Sequence, residues 1–166
     1  MSSLLLILDD IRSTHNVGSI LRTADGFGVT EVFFCGYTPY PELTNDNRLP
    51  HERSKITRAI HKTALGAEIT MPICLFASTL DAIAEAKNRG FSVAALEQSP
   101  HSTPLTTYEV PEKLAIILGN EVTGVGSDTL KASDTIIEIP MFGKKESFNV
   151  SVSAAICLYE LTRGKS

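Results

Sequence analysis

Apolar and polar residues alternate along this chain in blocks whose spacing predicts most of its elements. Residues 4–8 are a continuous apolar run, as expected of a strand buried on both faces of a parallel sheet. A polar stretch, 9–16, follows. Val17, Ile20, Leu21 and Ala24 then fall at i, i+3, i+4 and i+7, one face of a helix that starts after a capping Asn16 and ends at Gly26 or Gly28. Residues 29–36 read as a second strand. The stretch 38–50 is rich in proline and asparagine and long for a loop in a compact domain, which marks it as functional or mobile.

Helical spacing returns over 53–65 and stops at Gly66. The pattern then predicts a strand near 73–77, a helix over 80–89, a strand over 91–96 and a loop over 97–111. Next come a strand at 114–118, a short helix at 127–132, a strand at 135–139 and a last helix at 150–163. Strands alternating with helices predict an α/β fold: a mainly parallel sheet with helices on both faces. The last helix carries two apolar stripes. Val150, Ala154, Cys157, Leu158 and Leu161 form one; Val152, Ile156 and Tyr159 form the other. A helix apolar on opposite sides is usually buried, so a partner subunit is expected against the second stripe; the alternative is a helix wedged against the sheet within one subunit.

The 166 residues suit one domain, 1–166, without a separate RNA-binding extension. A net charge of −4 excludes a generally basic nucleic-acid binder, so any such function must rest on a local patch. The three cysteines, Cys35, Cys74 and Cys157, have no metal-ligand spacing and form no disulfide framework, which fits a reducing compartment. The early apolar run is too short for a signal peptide or a membrane span, so a cytoplasmic location is expected. Neither G-x-G-x-x-G, nor a P-loop, nor a G-x-S-x-G elbow, nor zinc spacing among the four histidines occurs. No metal is expected.

Three short motifs remain, each beside a strand. Asn16-x-Gly18-x-x-x-Arg22-x-Ala24 follows the first strand. Leu118-Gly119-Asn120-Glu121 with Gly124 follows the strand at 114–118. Ile139-Pro140-Met141 with Ser147-Phe148-Asn149-Val150-Ser151 joins the last strand to the last helix. Singly, each fits ordinary capping or turn duty. In this order they resemble the SpoU (TrmH-like) branch of the SPOUT RNA 2′-O-ribose methyltransferase superfamily. The resemblance covers essentially the whole chain, including 62–68.

That resemblance implies a C-terminal trefoil knot, S-adenosylmethionine as cofactor and methyl transfer to a ribose 2′-hydroxyl of RNA. It also implies a homodimer through the C-terminal helix. Carried over residue by residue, the cofactor would lie against Leu96, Glu97, Gly119, Asn120, Ile139, Met141, Ser147 and Phe148. The catalytic set would be Asn16, Arg22, Glu121, Ser147 and Asn149. The family assigns its arginine a role as base, but a guanidinium with a pKa of about 12.5 or more stays charged. Arg22 is therefore expected to grip the phosphate beside the target ribose. Glu121 is expected to accept a proton or to orient Arg22.

Residues 48–62 carry Arg48, Arg53, Lys55, Arg58 and Lys62 against Glu52, a local basic footprint. Arg48, Arg53, Lys55 and Arg58 are the expected RNA contacts; the alternative is a solvated helix face. The short chain favours tRNA over ribosomal RNA. Two other functions stay open on sequence alone: an idle RNA-binding module of the same fold, and an α/β enzyme on a small nucleotide-like substrate.

Overall fold

The computed structural model describes residues 3–164. Seven strands form a single parallel sheet: β1 (Ser3–Asp9), β2 (Glu31–Cys35), β3 (Ile73–Phe76), β4 (Ser92–Leu96), β5 (Thr103–Pro104), β6 (Lys113–Leu118) and β7 (Thr135–Glu138). Their spatial order is β3-β2-β1-β6-β4-β7-β5. The first strand is thus central, pairing with β2 on one side and with β6 on the other. Six helices cover the sheet: α1 (Thr14–Gly26), α2 (Pro50–Ala64), α3 (Ala67–Thr70), α4 (Thr79–Asn88), α5 (Ser127–Ala132) and α6 (Val150–Thr162).

Helices lie on both faces, and the apolar run of β1 shows why. Successive strand side chains point to opposite faces. Leu4, Leu6 and Leu8 join the core beneath α1, α2 and α6, whereas Leu5 and Ile7 join the core beneath α4. All five are at most 1% exposed, so the run has no polar alternation to show.

Several expectations shift at element ends. Asn16 is not the N-cap of α1. Ser13 is: its backbone is extended and its side chain accepts from the Asn16 N–H. The helix at 53–65 begins three residues earlier, at Pro50, where a missing N–H costs nothing. The 97–111 loop holds β5 and a 3₁₀ turn, Leu105–Thr107, whose Leu105 is buried. The last helix buries its first stripe apart from Val150, which is half-buried; of the second, Ile156 packs on the core while Val152 and Tyr159 stay exposed.

Candidate active site

The loops following β4, β6 and β7 leave the carboxyl ends of three adjacent strands, where open α/β sheets bind their ligands. Together they enclose a cavity of about 640 Å³. All eight residues expected to hold a cofactor line it: Leu96, Glu97, Gly119, Asn120, Ile139, Met141, Ser147 and Phe148. So do Glu121 and Asn149. Gln98, within the expected 96–98 loop, lines it as well; Leu130 and Ser153 were not singled out by sequence. Ser153 lies one helical turn beyond Asn149, so the i+4 spacing was the available signal.

The loop after β6 is pinned before it can serve a ligand. The Asn120 amide donates to the Asp10 carbonyl (2.7 Å), and its side-chain oxygen accepts from the N–H groups of Val122 and Thr123 (2.9 and 3.1 Å). The Gly124 N–H returns to the Asn120 carbonyl at 2.9 Å. The turn is tight enough that a Cβ on Gly119 would lie 2.6 Å from the backbone of Gly124 and Val125. Glu97 fixes the same loop from the β4 side, its carboxylate accepting from Val125 N–H and Gln98 N–H, each at 2.9 Å. The side chains of Glu97 and Asn120 therefore shape the cavity wall.

Glu121 ties the first motif to the second. Its two oxygens accept from the N–H groups of Arg12 and Ser13 (2.9 and 3.0 Å) and from the Asn16 amide (2.9 Å). Burial pushes its pKa up, but these hydrogen bonds outweigh burial and hold it below the ordinary carboxylate value. The anion also sits at the positive end of α1. Asn16 in turn accepts from the Asn149 amide at 3.2 Å, while Asn149 caps α6 by accepting from Ser151 N–H. Residues 105 and 133 positions apart are thus wired into one network. Capping and site duty coincide in Asn149.

Arg22 stands apart. It is exposed on α1 and does not line the cavity. Among the described residues no ion pair joins it to Glu121, whose carboxylate is occupied by Arg12, Ser13 and Asn16. The expected Glu121–Arg22 contact is not formed.

The basic stretch divides in two. Arg48 folds back on its own loop: its guanidinium pairs with Asp46, donates to the carbonyls of Tyr40 and Pro41, and lies 3.7 Å from the centre of the Tyr40 ring. Arg53 pairs with Glu42 at 3.0 Å and donates to the Asp46 carbonyl. These two arginines brace the 38–50 loop, and acids outside the counted stretch offset their charge. Lys55, Arg58 and Lys62 remain exposed at i, i+3 and i+7 along α2, without an acidic partner among the described ion pairs. The next residue, Thr63, donates to the His15 carbonyl at the start of α1 (2.9 Å), so the stripe ends beside the site.

Among the described residues no cluster of His, Cys, Asp or Glu has the arrangement of a metal site, and no helix is long and apolar enough to cross a membrane. The chain is similar to known proteins along nearly its whole length. The chain is 34% identical over 165 residues to the 23S rRNA (guanosine-2′-O-)-methyltransferase RlmB of Nitrosomonas europaea, covering 99% of this chain and 57% of that protein. It is 35% identical over 161 residues to the RlmB of Neisseria meningitidis serogroup B, covering 96% and 58%. The chain thus spans less than two thirds of the length of these curated relatives. Among solved structures, the AdoMet-bound rRNA methyltransferase of Sinorhizobium meliloti superposes with a TM-score of 0.82 at 24% identity, covering 99% and 57%, and shares the fold. The A. aeolicus TrmH/SpoU tRNA modifying enzyme superposes with a TM-score of 0.80 at 26% identity, covering 98% and 75%. The model of the SpoU rRNA methylase family matches residues 3–159, and the chain belongs to that family.

Proposed function

We propose that this protein is an S-adenosylmethionine-dependent RNA methyltransferase acting on a ribose 2′-hydroxyl. The observation that carries this reading is the single cavity that gathers all eight expected cofactor contacts and abuts the Asn16–Glu121–Asn149 network. Its volume lies within the roughly 300–1,000 Å³ usual for cofactor pockets. Leu96, Leu130, Ile139, Met141 and Phe148 offer apolar walls for a flat base. The backbone of 119–124 and the Ser147 hydroxyl offer polar partners. The donor set fits an organic cofactor.

The cofactor supplies an electrophilic methyl group on a sulfonium. The protein's part is positioning. Asn149 and Ser147, on the cavity wall, orient the ribose hydroxyl. Glu121 remains ionised with both oxygens bonded, so it serves as a positioning residue that holds Asn16 and the start of α1. Arg22 and the Lys55–Arg58–Lys62 stripe meet RNA phosphates, Arg22 as a bidentate fork. The exposed Val152 and Tyr159 of α6 support a homodimer through that helix. Because α6 packs beside α1, such a dimer also draws α1 towards the shared interface. The insertion of β4 between β6 and β7, with the Glu146 carbonyl bonded to Gln98, supports a knotted path for 139–149. The unpaired thiols Cys35, Cys74 and Cys157 fit a reducing, cytoplasmic setting.

The relatives' names include both rRNA and tRNA enzymes, and both RNAs are acceptors to test; tRNA is retained as the first. Calorimetry with S-adenosylmethionine should show binding. Transfer of labelled methyl to tRNA or to rRNA should follow, with the label mapped to a ribose. Absence of cofactor binding, or binding without transfer to either RNA, would overturn the reading.

A further inference from the structure

Two exposed apolar side chains line the cavity, Val122 on the loop after β6 and Phe148 on the loop after β7. A third, Phe142, is not on the wall itself but directly follows the lining residue Met141 on the loop after β7. Phe142 is the extreme case. At 96% exposure it is the most exposed large apolar side chain among the described residues. A phenylalanine stabilises the fold by leaving water, and this one forgoes nearly all of that gain. Its loop neighbours Ile139, Met141 and Phe148 all line the cavity.

The position is held as well as exposed. On one side of the tip the strand β7 ends at Glu138. On the other, the Gln98 amide holds the Glu146 carbonyl at 2.9 Å, and Asn149 caps α6. Within the tip, Lys144 and Lys145 are exposed and have no acidic partner among the described ion pairs. The Glu146 carboxylate is the one acid there, so 142–146 carries a net charge of +1 (two lysines, one glutamate). A flat apolar ring beside two ammonium groups matches a nucleotide, which presents a π-face and a phosphate. It does not match an apolar peptide or an anion alone.

We infer that the tip of the β7–α6 loop grips one nucleotide of the RNA strand beside the acceptor ribose: Phe142 stacks on its base, and Lys144 and Lys145 meet adjoining phosphates. This rests on the methyltransferase reading of the cavity. Proteins recognise unpaired RNA by stacking bases on aromatic side chains, and stacking tolerates any base. The tip is therefore a grip, and the choice of sequence lies elsewhere. It holds the strand where the ribose hydroxyl meets Ser147 and Asn149.

The chain has no tryptophan, so F142W places a single indole at the tip. Its emission should be quenched by a short oligoadenylate and not by an abasic oligomer of the same length. F142A should weaken oligoadenylate binding about tenfold and raise KM for RNA. Its S-adenosylmethionine affinity by calorimetry should stay unchanged, which verifies the fold. K144A/K145A should lower the slope of log affinity against log salt by about 1.4, two contacts at roughly 0.7 each. Wild-type transfer with F142A indistinguishable from it overturns the grip and leaves the methyltransferase reading standing. Failure of the wild type to bind any RNA overturns both. A tryptophan emission that shifts with protein concentration in the absence of RNA, in step with sedimentation, assigns the tip to a second copy of the chain and likewise overturns the grip.

Discussion

Asn16 owes its place in the site to Ser13. With Ser13 capping α1, Asn16 sits one turn inside the helix, and its amide is free to join Glu121 to Asn149. N16D replaces the donor facing Glu121 with a like charge. It should cut kcat/KM for RNA more than tenfold while S-adenosylmethionine affinity holds within a few-fold. Equal loss of both would show that Asn16 merely supports the fold. Arg22 calls for a different substitution. Lysine keeps the charge and loses the fork, so R22K should lose most activity, and near-wild-type rates would remove bidentate phosphate binding. The thiols make a third case at this scale. Burial pushes Cys35 and Cys157 up to about 12, helped at Cys35 by nearby Asp9, Asp10 and Asp81 and opposed by Thr79. Ellman's reagent near pH 8 should therefore leave both unmodified in the native protein, with half-buried Cys74 reacting first. Fast modification of Cys157 would indicate that α6 opens.

Among the elements, α1 and α2 cross at closest range where Gly18 faces α2. A Cβ there would lie 2.1 Å from Thr63 Oγ1 and 2.3 Å from the Ile60 carbonyl oxygen. A backbone oxygen cannot rotate away, so G18A should destabilise by about 1–3 kcal/mol and lower Tm by several degrees. An unchanged Tm would mean that the helices slide freely. The glycine was legible in the sequence as part of a motif; its physical reason was not, because the partner is more than forty residues away. The same limit explains other gaps. Residues 103 and 104 make two bonded positions beside β7 with no apolar alternation to announce a strand. Arg48 and Arg53 counted as free charge until the fold brought Asp46 and Glu42 against them. Most of the cavity wall was legible because its residues lie on three loops, each marked by its own strand, whereas Leu130 and Ser153 reach it from α5 and α6. For α2, charge reversal of Lys55 and Arg58 should weaken RNA binding and flatten its salt dependence, whereas unchanged binding would leave the stripe a solvated face.

For the whole molecule, the clasp between motifs makes stability depend on pH. Glu121 has a folded pKa below its unfolded value of about 4.3. The folded state binds fewer protons there, so its contribution is complete above that value and is lost as pH falls through the lower, folded one. The stability difference between wild type and E121Q should be largest near neutrality and shrink below about pH 4. A difference that does not vary with pH would mean that Glu121 titrates as it does in the unfolded chain. Asp134, whose burial raises its pKa less than Lys87 and the Val93 N–H lower it, contributes with the same sign to both proteins and cancels in the comparison.

The central place of β1 sets an order of assembly. Its β2 edge can be covered early in synthesis, but its other edge waits for β6, which begins at Lys113. At ribosomal rates of about 5–20 residues per second, the gap lasts on the order of five to twenty seconds. During that interval a nascent chain carries an open, wholly apolar edge, the kind that pairs with strangers. Glu121 and Asn149 emerge later still. A half-made chain therefore has no clasp, and the cavity wall is complete only when the last helix, with Ser153, has been made.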